Sequence, residues 1–362
     1  MNKKIFFVIN SLQGGGAERV LSTLAKSLHH KKIPVVIICL NFAIPAYLIP
    51  PELDIIYLIK NRTDTVWNRF YSAIKTVIKL SYLLIKERPK YVVSFMTSAN
   101  IWTGLTCLIT RTKYIVSERT SPNFTINNFR GIQKWLTITM YKNAKAIVSP
   151  SAGIEKSLKS NRSLANFNHY KIIRNPINIF TNPSFNKVND RKFILGVGRL
   201  AYEKGFDQLI LAFSELKIND IDLLIVGIGE ELSNLKLLAK TLNIEMQIKF
   251  IGQKKNIQDY YAQAELFVLP SRFEGYPNAL IEAMSLGCNC VAMDCEFGPS
   301  EIIKHQINGL LVKDGDIKML TSSIKLILEN PLLRDKISAN AKLILKNNSL
   351  EKFTNQWENL MT

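Results

Sequence analysis

The chain has 362 residues, 47% hydrophobic and 21% charged; that excludes a disordered or fibrous chain and exceeds what one core usually serves, so two domains are expected. Five cysteines form an odd, sparse set, which excludes a disulfide framework and reads as reduced core residues of a cytosolic protein. The net charge of +18 is uneven: residues 1–182 hold 26 Lys/Arg against 7 Asp/Glu, residues 183–362 hold 21 against 22, so the first half alone is suited to an anionic partner.

The first run, "KIFFVIN" (4–10), imitates a secretory leader, but its apolar core Ile5–Ile9 is shorter than the roughly 7–15 residues of one, and an amphipathic pattern follows at once. It reads as the first strand. Further β-branched runs predict strands at 34–40, 54–59, 91–96, 113–118 and 144–150. Between them, 67–90 has apolar residues at helical spacing, accompanied by Arg69, Lys75, Lys79, Lys86, Arg88 and Lys90. The uncharged stretches 33–51 and 91–110 approach spanning length, but Pro34, Pro45, Pro50 and Pro51 interrupt the first and polar residues the second. Neither predicts a transmembrane helix.

Residues 174–190, rich in Asn and Pro, read as a linker. Strands are predicted again at 192–198, 221–227, 247–252, 265–271 and 288–294, and a helix from Pro277 to Leu286, stopped by Gly287. The alternation predicts an α/β protein with parallel sheets. The expected domains are 1–182, strongly basic, and 183–345, near-neutral; 346–362 is expected to pack back toward the first.

Each half opens on a strand, a glycine turn and a helix. Gly14-Gly15-Gly16 follows the first strand, but the full dinucleotide fingerprint is missing and no acid closes the second strand, which argues against nicotinamide or flavin. In "GVGRLAYEKG" (196–205), Arg199 and Lys204 lie near a helix entrance, where two cations suit a phosphate or diphosphate. "SRFEGYPNALIEAMSLG" (271–287) puts Glu274 in the loop after a strand and Glu282 on the next helix. A glycosidase pair would need one carboxyl kept protonated and no phosphate-binding cations, so a carboxylate clamp for hydroxyl groups fits better.

Metal ligation is not expected. The four histidines lack metal spacing, Cys288, Cys290 and Cys295 belong to an apolar run, and Asp314-Gly315-Asp316 sits where a turn and a helix cap belong. No nucleic-acid-binding motif occurs.

The ordered set "GGGAE", "GVGRLAYEKG", "LLIVGIGEE", "FIGQ", "FEGYPNALIEAMSLG" and "FGPSEII…NGLLV" resembles the family-four retaining glycosyltransferases, the "glycosyl transferases group 1" type. The resemblance covers essentially the whole chain and is strongest over 192–315. It implies a GT-B fold, two Rossmann-like domains facing across a cleft. It further implies that Glu282 holds the nucleotide ribose, Glu274 faces the donor sugar, and Arg199 and Lys204 neutralise the diphosphate. Backbone at Tyr276, Pro277, Asn278 and Ala279 would line sugar and phosphate, Gly252 and Gln253 the base, while Gly15 and Gly16 approach from the other domain. Where family members often carry a cleft histidine, this chain departs from the pattern with Glu118 and Arg119, which are candidates for the acceptor side of the cleft, with a structural ion pair between them as the alternative. The implied activity is metal-independent retaining transfer of a hexose or N-acetylhexosamine from a nucleotide-sugar, UDP-linked, to a lipid-linked or lipopolysaccharide acceptor. No cofactor is expected beyond that co-substrate. The basic half predicts peripheral docking on the anionic inner face of the cell membrane. The alternative is a non-catalytic basic scaffold of the same fold, binding anionic membrane or polymer.

Overall fold

The computed structural model describes residues 3–47, 49–60, 66–177, 180, 183, 184 and 186–361, with only the backbone described at 66–70 and 124. The chain divides into two compact units, Met1–Pro176 with Leu350–Thr362, and Ile177–Ser349. The boundary read at 182/183 falls on residue 182, which lies outside the described residues.

The first unit is built on β1 (Ile5–Ile9), β2 (Val35–Asn41), β3 (Asp54–Ile59), β4 (Tyr91–Phe95), β5 (Tyr114–Ser117), β6 (Ile147–Ser149) and β7 (Tyr170–Ile172). They form one parallel sheet in the order β3-β2-β1-β4-β5-β6-β7, with Ile5 of β1 opposite both Val35 and Tyr91. All five β1 side chains are buried, which is why it reads as an unbroken apolar run rather than an alternation. On one face the helix Gly16–His30 buries Val20, Leu21, Leu24, Ala25 and Leu28 along a single stripe. The terminal helix Leu350–Met361 joins it, with Ser27 and Thr354 hydroxyls 2.8 Å apart. Phe353, Trp357 and Met361 enter this core, and the Trp357 ring lies 5.6 Å from that of Phe95. Each buried aromatic stabilises the docking by roughly 1.5–3 kcal/mol. The helices Val66–Glu87, Thr97–Thr110 and Gly131–Lys142 pack side by side.

The second unit carries β8 (Lys192–Val197), β9 (Ile221–Val226), β10 (Ile248–Gly252), β11 (Leu266–Leu269), β12 (Cys290–Asp294) and β13 (Leu310–Lys313), parallel in the order β10-β9-β8-β11-β12-β13. All five cysteines are free and buried. The short edge strands β7 and β13 were not expected from sequence. In each sheet the strand order reverses beside the first strand of the unit, between β1 and β4 and between β8 and β11. Parallel sheets bind ligands at such switch points, outside the carboxyl ends of the strands.

Candidate active site

In the second unit the sequence candidates gather at the carboxyl ends of β8 and β11. Beyond β8 the chain passes Gly198 to Arg199, which is exposed and forms a close ion pair with Glu203. A single 3-10 turn, Tyr202–Lys204, then ends at Gly205 in the left-handed region (φ +63°). A Cβ at Gly205 would stand 2.1 Å from the Pro270 carbonyl oxygen, so only glycine lets this turn seat against the end of β11. That seating carries Lys204 to the loop after β11, where its Nζ donates to Glu274 Oε1 at 2.6 Å. Ser271 Oγ donates to the same oxygen at 2.8 Å. The Glu274 side chain is only 7% exposed, so its charge is held in place by a cation and a hydroxyl.

Arg272, two residues from Glu274 in sequence, serves another carboxylate. Its guanidinium grips Asp207 through two bonds of 2.8 and 2.6 Å and lies 4.3 Å from the Tyr202 ring centre. Burial alone would raise the Asp207 carboxyl, but the Arg272 fork and backbone amides outweigh it and hold it below its ordinary value. This brace fixes the Tyr202–Lys204 turn against the Glu274 loop.

Glu282 lies on the helix Asn278–Ser285, is 3% exposed, and accepts from Tyr261 Oη at 3.4 Å. The helix begins after Pro277 without a side-chain cap, and the positive end of its dipole lies at this turn. Against this turn rests the loop at Gly298 (φ +97°), where a Cβ would meet Pro277 Cδ at 2.7 Å. Tyr276 is buried and its hydroxyl pairs with Asn348, so its backbone is what remains to face a ligand. Gly252 (φ +71°) ends β10, accepts from Gly227 N at 3.0 Å and precedes exposed Gln253. Asp316 caps the helix Ile317–Glu329 through Met319 N at 2.8 Å. Among the described residues no group of three His, Cys, Asp or Glu could hold a metal.

In the first unit Gly15 and Gly16 follow β1, and Gly15 O accepts from Tyr47 Oη at 3.0 Å. Glu118 and Arg119 require a correction. The Glu118 side chain is fully enclosed at the end of β5, accepting from Tyr141 Oη at 2.6 Å, Thr97 Oγ1 at 2.9 Å and Arg119 N at 3.2 Å. It cannot meet an acceptor from there, and burial raises its carboxyl despite those donors. Arg119 does not pair with it through the guanidinium, which donates to Ser117 Oγ at 2.8 Å and Asn175 Oδ1 at 2.7 Å and lies over the Phe95 ring. Among the described residues its Nη2 has no hydrogen-bond partner, and burial pushes its pKa down to about 9. Sequence reasoning missed Asp207, Ser271, Tyr261 and Tyr141, none of which lies in a motif that names its partner.

Residues 14–179 match the model for glycosyltransferase family 4, and residues 179–344 that for glycosyl transferases group 1. The chain is also 30% identical to the N-acetylgalactosamine-N,N'-diacetylbacillosaminyl-diphospho-undecaprenol 4-alpha-N-acetylgalactosaminyltransferase of Campylobacter jejuni, over 94% of each protein. It belongs to the group 1 glycosyltransferases. The transferase is 26% identical to the amylovoran biosynthesis glycosyltransferase AmsD of Erwinia amylovora, over 92% of each chain. Its fold is GT-B, and it superposes on Anabaena Alr3699/HepE in complex with UDP with a TM-score of 0.81 at 18% identity, covering 98% of both chains.

Proposed function

We propose that this transferase moves a hexose or N-acetylhexosamine from a UDP-sugar to a lipid-linked or lipopolysaccharide-type acceptor in bacterial surface glycan synthesis, with retention and without a metal ion. The observation that carries the reading is the Lys204–Glu274 pair at the β8/β11 switch point, with Arg199 and the start of the helix Asn278–Ser285 in the same unit. A departing nucleoside diphosphate gains negative charge at its bridging oxygen, and preorganised cations and amides stabilise that charge as it forms. Arg199, Lys204 and the first amides of Asn278–Ser285 take this role. Glu274 faces the sugar hydroxyls while holding Lys204, and Glu282 accepts from the ribose hydroxyls. Attack from the face the diphosphate leaves lets a phosphate oxygen take the acceptor proton. The enclosure of Glu118 favours that route over a base at its position.

Two relatives support the acceptor class by name, one acting on a diphospho-undecaprenol glycan and one in amylovoran synthesis. Among the described residues no helix is long and apolar enough to cross a membrane. The helix Val66–Glu87 nevertheless exposes Tyr71, Ile74, Ile78, Tyr82 and Ile85 along one side, with Lys75 and Lys86 beside Tyr71 and Tyr82. Apolar side chains flanked by lysines, on the strongly basic half, suit docking at an anionic bilayer surface.

The test is a panel of labelled nucleotide-sugars offered with extracted lipid-linked acceptors, with and without chelator, followed by anomeric analysis of the product. Transfer from a UDP-sugar that survives EDTA and retains configuration is expected. Absence of transfer from every UDP-sugar would overturn the donor assignment, and EDTA loss restored by manganese would overturn the metal-free route.

A further inference from the structure

At the opposite end of the first sheet from Gly15, where β4 and β5 begin, lies a hollow of about 520 Å³. Its floor includes the buried side chains of Tyr91, Cys107 and Tyr114, and its wall includes Arg111, Lys113 and Lys145. No carboxylate lines it, and none of the three cations forms an ion pair among the described residues. Lys145 is positioned: its Nζ donates to Tyr91 Oη at 2.6 Å and sits 4.6 Å from that ring's centre. Arg111 is held in the left-handed region (φ +55°) at the end of the helix Thr97–Thr110, which turns its side chain off the helix course.

Two helix C-termini, at Thr110 and Lys142, also end here, and each contributes about half a negative charge. Three full positive charges outweigh them. Nor do the terminal carbonyls need the cations, since Cys107 O accepts from Thr112 N at 2.9 Å, Thr139 O from Asn143 N at 3.2 Å, and Met140 O from Tyr114 Oη. The unneutralised charge therefore faces the hollow, and Leu108 in its lining is 37% exposed.

We infer that this hollow is a second anion site, taking the phosphate or diphosphate group of a ligand other than the sugar donor. Arg111 offers a planar fork for two phosphate oxygens, while Lys113 and Lys145 supply point charges around it. The same chemistry serves a lipid phosphate headgroup or a soluble phosphate compound.

The experiment is calorimetric titration of the full chain with inorganic pyrophosphate, in a background carrying Arg199→Ala and Lys204→Ala to silence the donor region. Adding Arg111→Ala, Lys113→Ala and Lys145→Met should weaken binding at least tenfold at unchanged melting temperature. Equal affinity with and without the three changes, or no pyrophosphate binding before them, overturns the site. Flotation with phosphatidic acid vesicles against phosphatidylcholine vesicles then separates the sources. Loss of flotation in the triple variant assigns the site to a lipid headgroup, and loss of pyrophosphate binding alone assigns it to a soluble phosphate compound.

Discussion

Lys204 and Glu274 stand 70 residues apart in the chain and 2.6 Å apart in space. Each holds the other at the head of a different strand of one sheet, so neither should be replaceable alone. Lys204→Met should lower turnover by roughly 100-fold or more, because a charge that stabilises the leaving group is lost and the nearly buried Glu274 is left without its cation. Glu274→Gln should also reduce turnover, and the double variant should fall well short of the product of the two effects. Strict multiplicativity in steady-state rates would show that the pair does not act as a unit.

Glu282 is assigned to the donor ribose. Glu282→Ala should weaken UDP-sugar binding by about 1.5–3 kcal/mol, roughly 10- to 150-fold in Kd, since a charged acceptor for two hydroxyls is removed. Titration calorimetry on the variant, with its melting temperature checked, decides this; unchanged affinity rejects the ribose role.

The Arg272–Asp207 brace gives a pH signature. The Asp207 carboxyl is held below its ordinary value of 3.8, so its folded form prefers the ionised state. The stabilisation is complete above that value and is lost as pH falls through the depressed folded one. Wild type should therefore lose more stability than Asp207→Asn between pH 5 and roughly 2, and the two melting curves should converge at the acid end. Parallel curves across that range would mean the brace contributes nothing.

Docking at a bilayer surface can be tested on the helix Val66–Glu87. Lys79 is a poor target because its Nζ bonds the Leu58 carbonyl oxygen at 2.8 Å and so serves the fold. Lys75→Glu with Lys86→Glu should weaken sedimentation with anionic vesicles, at about 1 kcal/mol per lost charge and more for the reversal, and rising salt should do the same to wild type. UDP-sugar affinity should not change. Equal sedimentation of wild type with neutral and anionic vesicles would reject the docking face.

Much of the architecture is legible in the chain because buried parallel strands must be continuous apolar runs. "KIFFVIN" and "IDLLIVG" contain β1 and β9, and "PVVIICL" all of β2 but Asn41, for that reason. The short strands β7 and β13 escape that rule: β7 is three residues long and largely exposed, and β13 is a four-residue piece between turns that buries only Leu310 and Val312, too short to stand out as a run. The glycine turns, the helix that Pro277 starts and Gly287 ends, and the candidates Arg199, Lys204, Glu274 and Glu282 are likewise local, because turn and cap chemistry acts over a few residues.

Partnership is different. Sequence adjacency sets Arg272 beside Glu274, yet Arg272 bonds Asp207 and Glu274 receives Lys204. Adjacency likewise sets Glu118 beside Arg119, yet Tyr141 and Thr97 enclose the carboxylate and Asn175 takes the guanidinium. The sequence by itself determined the two parallel-sheet units, the residue types at their switch points and the uneven charge, since those follow from hydrophobic period, backbone permissiveness and composition. Only the tertiary structure decided which charges meet, which are buried and which stand unneutralised, because a side chain's partner is set by the strand order that brings distant segments within hydrogen-bond reach.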